Sequence, residues 1–216
     1  MVKDISNIKK IRIKTKDNNI EKTAKNVILA TGARSRNLPF VSSDGVNIWD
    51  YKTAMTPPKL PSSLIIVGSG AIGMEFASFY NDLGVDVTVV EALPSILPNE
   101  DTDISKIVKL NFEKRGIKIK TNSALKSVTT RENLVSAEII TNEKVETINS
   151  EKLILAIGII ANTEKLGLED FNVKIDKGHI VTNEFLETDE KGVYAIGDIT
   201  DGPVSYTHLR AHETRF

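Results

Sequence analysis

Leu64-Ile-Ile-Val-Gly-Ser-Gly-Ala-Ile-Gly-Met-Glu75 decides the reading of this chain. Four apolar residues, three of them β-branched, have the character of a buried parallel strand. The run then breaks into Gly68, Gly70 and Gly73. Such spacing suits a strand-to-helix turn that binds phosphate. Gly68 allows a sharp turn off the strand, Gly70 allows the backbone to approach a pyrophosphate, and Gly73 allows the helix to lie close to the sheet. The free N–H groups and positive dipole end of that helix then face the phosphates.

The flanks supply the context that a GxGxxG pattern needs. Ile72, Phe76, Phe79 and Leu83 recur at helical spacing and predict the apolar face of the helix, which Gly84 ends. Val85-Asp-Val-Thr-Val-Val90 then reads as the next strand and delivers Glu91, twenty-three residues after Gly68. An acidic residue there is expected to bind the adenosine ribose hydroxyls and to repel the 2′-phosphate of NADP. With no Arg close behind it, the pattern favours NAD(H).

Two further segments end in comparable turns. Lys25-Asn-Val-Ile-Leu-Ala-Thr-Gly-Ala-Arg34 is an apolar strand running into Thr31 and Gly32, and Gly192-Val-Tyr-Ala-Ile-Gly-Asp198 is another running into Gly197 and Asp198. Taken singly, a strand stopping at Gly-Asp is common, and Asp198 suits a turn or cap. Their order around the GxGxxG unit resembles the flavoproteins with two dinucleotide-binding domains. That resemblance implies Thr31 and Gly32 near FAD, and Asp198 on its ribityl hydroxyls.

Gly68–Ser78, Val87–Glu91, Ile96–Asp101 and Leu155-Ala-Ile-Gly158 together resemble the dihydrolipoamide dehydrogenases, within the FAD- and NAD-linked pyridine nucleotide-disulfide oxidoreductases. The similarity runs from about Lys25 to Pro203. It implies that Glu75 approaches the nicotinamide and flavin and that Gly158 lies by the NAD site. It further implies electron transfer from dihydrolipoamide through a redox disulfide and FAD to NAD⁺, a homodimer, and partners in the dihydrolipoyl domains of 2-oxo-acid dehydrogenase complexes. Ile159 and Ala161 stand where the family often has Arg and Pro. Two other readings stay open: a mercuric reductase, glutathione reductase or transhydrogenase type of the same superfamily, and a non-catalytic NAD-binding module.

The expected fold class is α/β: a Rossmann-like two-dinucleotide-binding-domain flavoprotein fragment, with a complete NAD domain inserted in a partial FAD domain. Residues 1–59 form the first FAD-domain segment with its crossover, residues 60–162 the NAD domain, and residues 163–203 the second FAD-domain segment. Thr56-Pro-Pro-Lys-Leu-Pro61 marks the first boundary, because closely spaced prolines stop regular structure. Asp4 to Ala24, with Ile11 and Ile13 between charged residues, reads as an exposed β-ribbon. Ile104, Ile107, Val108 and Phe112 predict an amphipathic helix ended by Gly116, and Ile117 to Ile119 begins a strand. Trp49 and Tyr51 are expected to pack in the crossover.

A net charge of −1, with 26% charged and 40% hydrophobic residues, gives no electrostatic case for nucleic acid or a membrane surface. No apolar run approaches the ~18 residues of a span. The polar N-terminus lacks the pattern of a secretory signal, so a cytoplasmic site is expected, or the mitochondrial matrix for a eukaryotic parent. Cysteine is absent, so these residues contain no redox thiols and no catalytic residue is assigned. Only thirty residues precede Thr31 and eighteen follow Asp198. The expectation is an internal fragment, with the family's first FAD-binding glycine motif and cysteines upstream and its dimerisation domain, holding a His-Glu acid/base pair, downstream. Residues 204–216 are expected to be a non-native tail, since Val204–Thr214 resembles translated sequencing adapter. His208 and His212 have an i,i+4 spacing but no evident third ligand, so no metal is expected. His179 follows Lys177-Gly178 in a predicted surface hairpin.

Overall fold

The computed structural model describes residues 9–201, which form two compact units, Ser35–Ile159 and the described part of Met1–Arg34 with Ile160–Phe216. The expected tail, with His208 and His212, lies outside the described residues, as does the start of the predicted N-terminal ribbon. In chain order, the discontinuous unit begins with an antiparallel hairpin of β1 (Lys9–Lys14) and β2 (Asn19–Ala24), followed by β3 (Val27–Leu29). The chain changes unit within β4 (Ala33–Ser35).

In the contiguous unit come β5 (Ile48–Trp49), α1 (Tyr51–Met55), β6 (Ser63–Val67), α2 (Ala71–Asp82), β7 (Asp86–Val90), α3 (Thr102–Lys114) and β8 (Lys118–Lys120). A meander of β9 (Ser123–Arg131), β10 (Leu134–Thr141) and β11 (Lys144–Ser150) precedes β12 (Lys152–Leu155). Strands β5, β12, β6, β7 and β8, in that order, make one parallel sheet. The chain leaves this unit within β13 (Ile159–Ala161).

Alternation along β6 explains the layering. Leu64 and Ile66 face one side, where Met74, Ala77 and Tyr80 of α2 complete a core with Val87, Val89 and Ile154. Ile65 and Val67 face the other, where Val135, Ala137 and Ile139 of β10 cover them. The period of two in both strands therefore buries both faces of the sheet, one under helices and one under the meander.

Two expectations are corrected. The buried stripe of α2 is Gly73, Met74, Ala77 and Tyr80, whereas Ile72, Phe79 and Leu83 are exposed. Close approach of helix to sheet selects small residues for that face, and Tyr80 adds a buried hydroxyl that donates to the Ala54 carbonyl at 2.6 Å. On α3, Val108 and Phe112 pack on the core, but Ile104 and Ile107 are exposed. Residues 35–59 lie within the contiguous unit Ser35–Ile159. The reason is that β5 extends the parallel sheet at β12 and Trp49, only 1% exposed, packs into the core beside Tyr80.

The second part of the discontinuous unit holds β14 (Ile175–Asp176), β15 (His179–Ile180) and β16 (Val193–Ala195). β14 and β15 form the hairpin predicted around Lys177-Gly178, with both turn residues at positive φ and His179 half-buried. β16 pairs in parallel with β3. No helix among the described residues is long and apolar enough to cross a membrane.

Candidate nucleotide-binding cleft

At the carboxyl end of the parallel sheet, the turn after β6 opens into a cleft of about 530 Å³. Gly68, Ser69, Gly70, Glu91, Leu125 and Gly158 are among its lining residues. Ligands of open α/β sheets bind outside the carboxyl ends of the strands.

The three glycines of the turn meet different constraints. Gly68 has φ +101°, and a Cβ there would come closer than 3.0 Å to the Ala156 backbone. Gly73 has ordinary helical backbone, but a Cβ on it would overlap the Gly68 carbonyl oxygen. At Gly70 a Cβ would meet nothing within 4 Å, so the space beside this residue is open. Two glycines thus serve the packing of strand, turn and helix. The third leaves the backbone bare where it borders the cleft.

The loop is tied down on several sides. Gly68 N–H donates to the Val90 carbonyl at 2.9 Å, and the Ser69 carbonyl accepts from Leu97 N–H at 2.9 Å. Glu91 is buried, and one of its carboxylate oxygens accepts from Ser69 N–H at 2.9 Å and from Ser69 Oγ at 2.6 Å. The other oxygen accepts from Leu93 N–H at 2.8 Å. Helix ends differ accordingly. Asp50 caps α1 and Asp101 caps α3 through their carboxylates, whereas α2 starts at Gly70 with no side-chain cap. Its first N–H groups therefore remain available to an anion at the cleft.

Gly158, with φ +107°, also borders the cleft, and its carbonyl accepts from Arg36 N–H at 2.9 Å. Glu75 lies on the exposed face of α2 and is not among the residues lining the cleft. Ser69, Leu38, Leu125 and Ile157 line it without having been singled out from the sequence. The signal for Leu125 was weak, because it lies at the start of a meander whose period-two alternation is clear only from Val135 onward.

The FAD-side residues lie in the discontinuous unit. Pairing of Leu29 with Ala195 and the bond from Ile196 N–H to the Leu29 carbonyl bring two strand ends together. The turn with Thr31 and Gly32 therefore emerges beside the turn with Gly197 and Asp198. Gly32 has φ +64°, Asp198 is exposed on a single 3₁₀ turn, and the Thr31 hydroxyl donates to the Asn162 carbonyl at 2.8 Å. Paired carboxyl ends of parallel strands suit a ligand edge, and these residues fit one edge of a flavin nucleotide. The glycine cradle, the uncapped helix and Glu91 fit the pyrophosphate and ribose of NAD. Among the described residues, no group of His, Cys, Asp and Glu could hold a metal ion.

This is the architecture of a nucleotide-dependent oxidoreductase, and comparison with known proteins gives the family. Residues 2–212 match the pyridine nucleotide-disulphide oxidoreductase family. The chain belongs to that family, whose members use FAD and a pyridine nucleotide. It is 47% identical over 192 residues to a dihydrolipoyl dehydrogenase of Rhizobium etli and 46% identical over 191 residues to one of Zymomonas mobilis, in each case over 88% of the chain. The matches cover 40% and 41% of those proteins, so the chain spans well under half of their length. Among solved structures, LpdA of Mycobacterium tuberculosis superposes with a TM-score of 0.83 at 32% identity, covering 97% of this chain and 45% of that one. The HOCl-induced flavoprotein disulfide reductase RclA of Escherichia coli gives 0.82 at 26% identity, covering 94% and 46%.

Proposed function

We propose that this chain supplies the NAD-binding unit and part of the FAD-binding unit of a dihydrolipoyl dehydrogenase. In the whole protein, electrons pass from dihydrolipoamide through a disulfide and FAD to NAD⁺. The observation that carries the nucleotide assignment is the cleft itself, with a bare Gly70, an uncapped α2 and a buried Glu91 around one opening. Identity to the dihydrolipoyl dehydrogenases supports the choice of substrate within the family. FAD, when bound, supplies the hydride chemistry.

This chain's own residues bind and orient. Glu91 accepts from a ribose hydroxyl and disfavours a 2′-phosphate; the first N–H groups of α2 hold the pyrophosphate; Asp198 and the Thr31–Gly32 turn border the flavin. Dithiol exchange requires cysteines, and these 216 residues contain none. The proposal places the protein in the cytoplasm or a mitochondrial matrix, as a homodimer serving the dihydrolipoyl domains of a 2-oxo-acid dehydrogenase complex. Titration of the chain with NADH and NADPH by quenching of Trp49, its single tryptophan, tests the nucleotide reading. NADH is expected to bind more tightly. Equal affinities would remove Glu91 from the selective site.

A further inference from the structure

Ser69 joins the glycine turn of the cleft to its acidic residue. It is fully buried, yet its side chain is polar, and the hydroxyl is committed to Glu91 at 2.6 Å. The backbone N–H of the same residue donates to the same carboxylate oxygen, Oε2, at 2.9 Å. Leu93 N–H occupies Oε1 at 2.8 Å. An ionised carboxylate offers about four acceptor positions, so about one remains for a ligand.

We propose that Ser69 is a positioning residue for nucleotide selectivity: its hydroxyl holds the Glu91 carboxylate against the glycine turn, leaving a single, fixed acceptor for a ribose hydroxyl. The proposal rests on the reading of the cleft as an NAD site. Side-chain torsions alone would let a glutamate at a strand end sample several directions. Three donors from two loops restrict it, and the hydroxyl is the only one of the three that a substitution can remove without altering the backbone. Since hydrogen bonds to charged groups are the stronger class, this one bond controls where Glu91 points. Ser69 acts through Glu91 and itself touches no nucleotide atom.

The test is titration of the full chain and its Ser69→Ala variant with NADH and NADPH. Loss of the hydroxyl is expected to raise the NADH dissociation constant about tenfold while changing that for NADPH by less than about twofold. In a Glu91→Ala background, Ser69→Ala is expected to have no further effect. A merely structural role would weaken both nucleotides in proportion, because they share the pyrophosphate, and that result would overturn the proposal. So would unchanged binding of both. Ser69→Cys, close in size and with only a weak S–H donor, carries the same comparison should alanine prevent folding. If the unsubstituted chain binds neither nucleotide, the NAD reading fails first, and the role of Ser69 falls with it.

Discussion

Gly73 and the carbonyl oxygen of Gly68 lie so close that no side-chain atom fits between them. This contact fixes the first turn of α2 on the turn that precedes it. Gly73→Ala must therefore move helix or turn, and is expected to cost about 1–3 kcal/mol of stability and to weaken NADH binding. Thermal unfolding followed by Trp49 emission gives the first quantity. A melting temperature equal to that of the parent chain would show that the contact is looser than described.

Gly70 calls for the opposite outcome. With open space around it, Gly70→Val should leave the far-ultraviolet spectrum and melting temperature nearly unchanged while lowering NADH affinity by more than about tenfold. Retained affinity would remove Gly70 from the pyrophosphate site.

Tyr80 is expected to reveal itself at alkaline pH. Burial raises its phenol above the ordinary value of 10.0, and its hydroxyl donates to Ala54. A raised folded-state value means that the stabilising contribution is complete below about pH 10 and is lost as pH rises through the folded value. Tyr80→Phe should cost about 1–2 kcal/mol at pH 7 and should flatten that alkaline decline. Identical pH profiles for the two proteins would exclude Tyr80 as its source.

Asp44 should act at the acid end. Burial opposes its ionisation, but N–H donation from Ile48, Val46 and Asn47 outweighs burial and holds the carboxyl below its ordinary value of 3.8. Its contribution is present above that value and lost as pH falls through the folded one. Asp44→Ala is expected to lower stability by about 0.5–1 kcal/mol at pH 7, since solvent screens this exposed carboxylate, with the difference shrinking below about pH 4. A constant difference from pH 7 to pH 2 would contradict this origin.

The glycine turn was legible in the sequence because its demands are local: a positive φ at Gly68 and close backbone approach at Gly73 restrict single residues. Helix faces were less so. Counting apolar residues selected Ile72, Phe76, Phe79 and Leu83, of which Phe76 packs on the core, while tight packing selected Gly73, Ala77 and a tyrosine whose hydroxyl reaches Ala54. The affiliation of residues 35–59 was hidden for a different reason. Proline spacing at Thr56–Pro61 marks where regular structure stops, but the unit is set by long-range pairing of β5 with β12, which no local signal announces. In the cleft, Glu91 could be found by its distance from Gly68, whereas its bond to Ser69 depends on how the turn folds back over β7.

The parallel pairing of β3 with β16 also orders events during synthesis. Thr31 and Asn162, bonded to each other, are separated by 131 positions in the chain, and β16 comes later still. Everything between Ser35 and Ile159 leaves the ribosome before β3 can meet its partner strand. The contiguous unit can thus condense early, on contacts that are nearer in sequence, while the β3–β16 pairing waits for the later strand. Val27–Leu29 therefore depends for this pairing on residues translated more than 160 positions later.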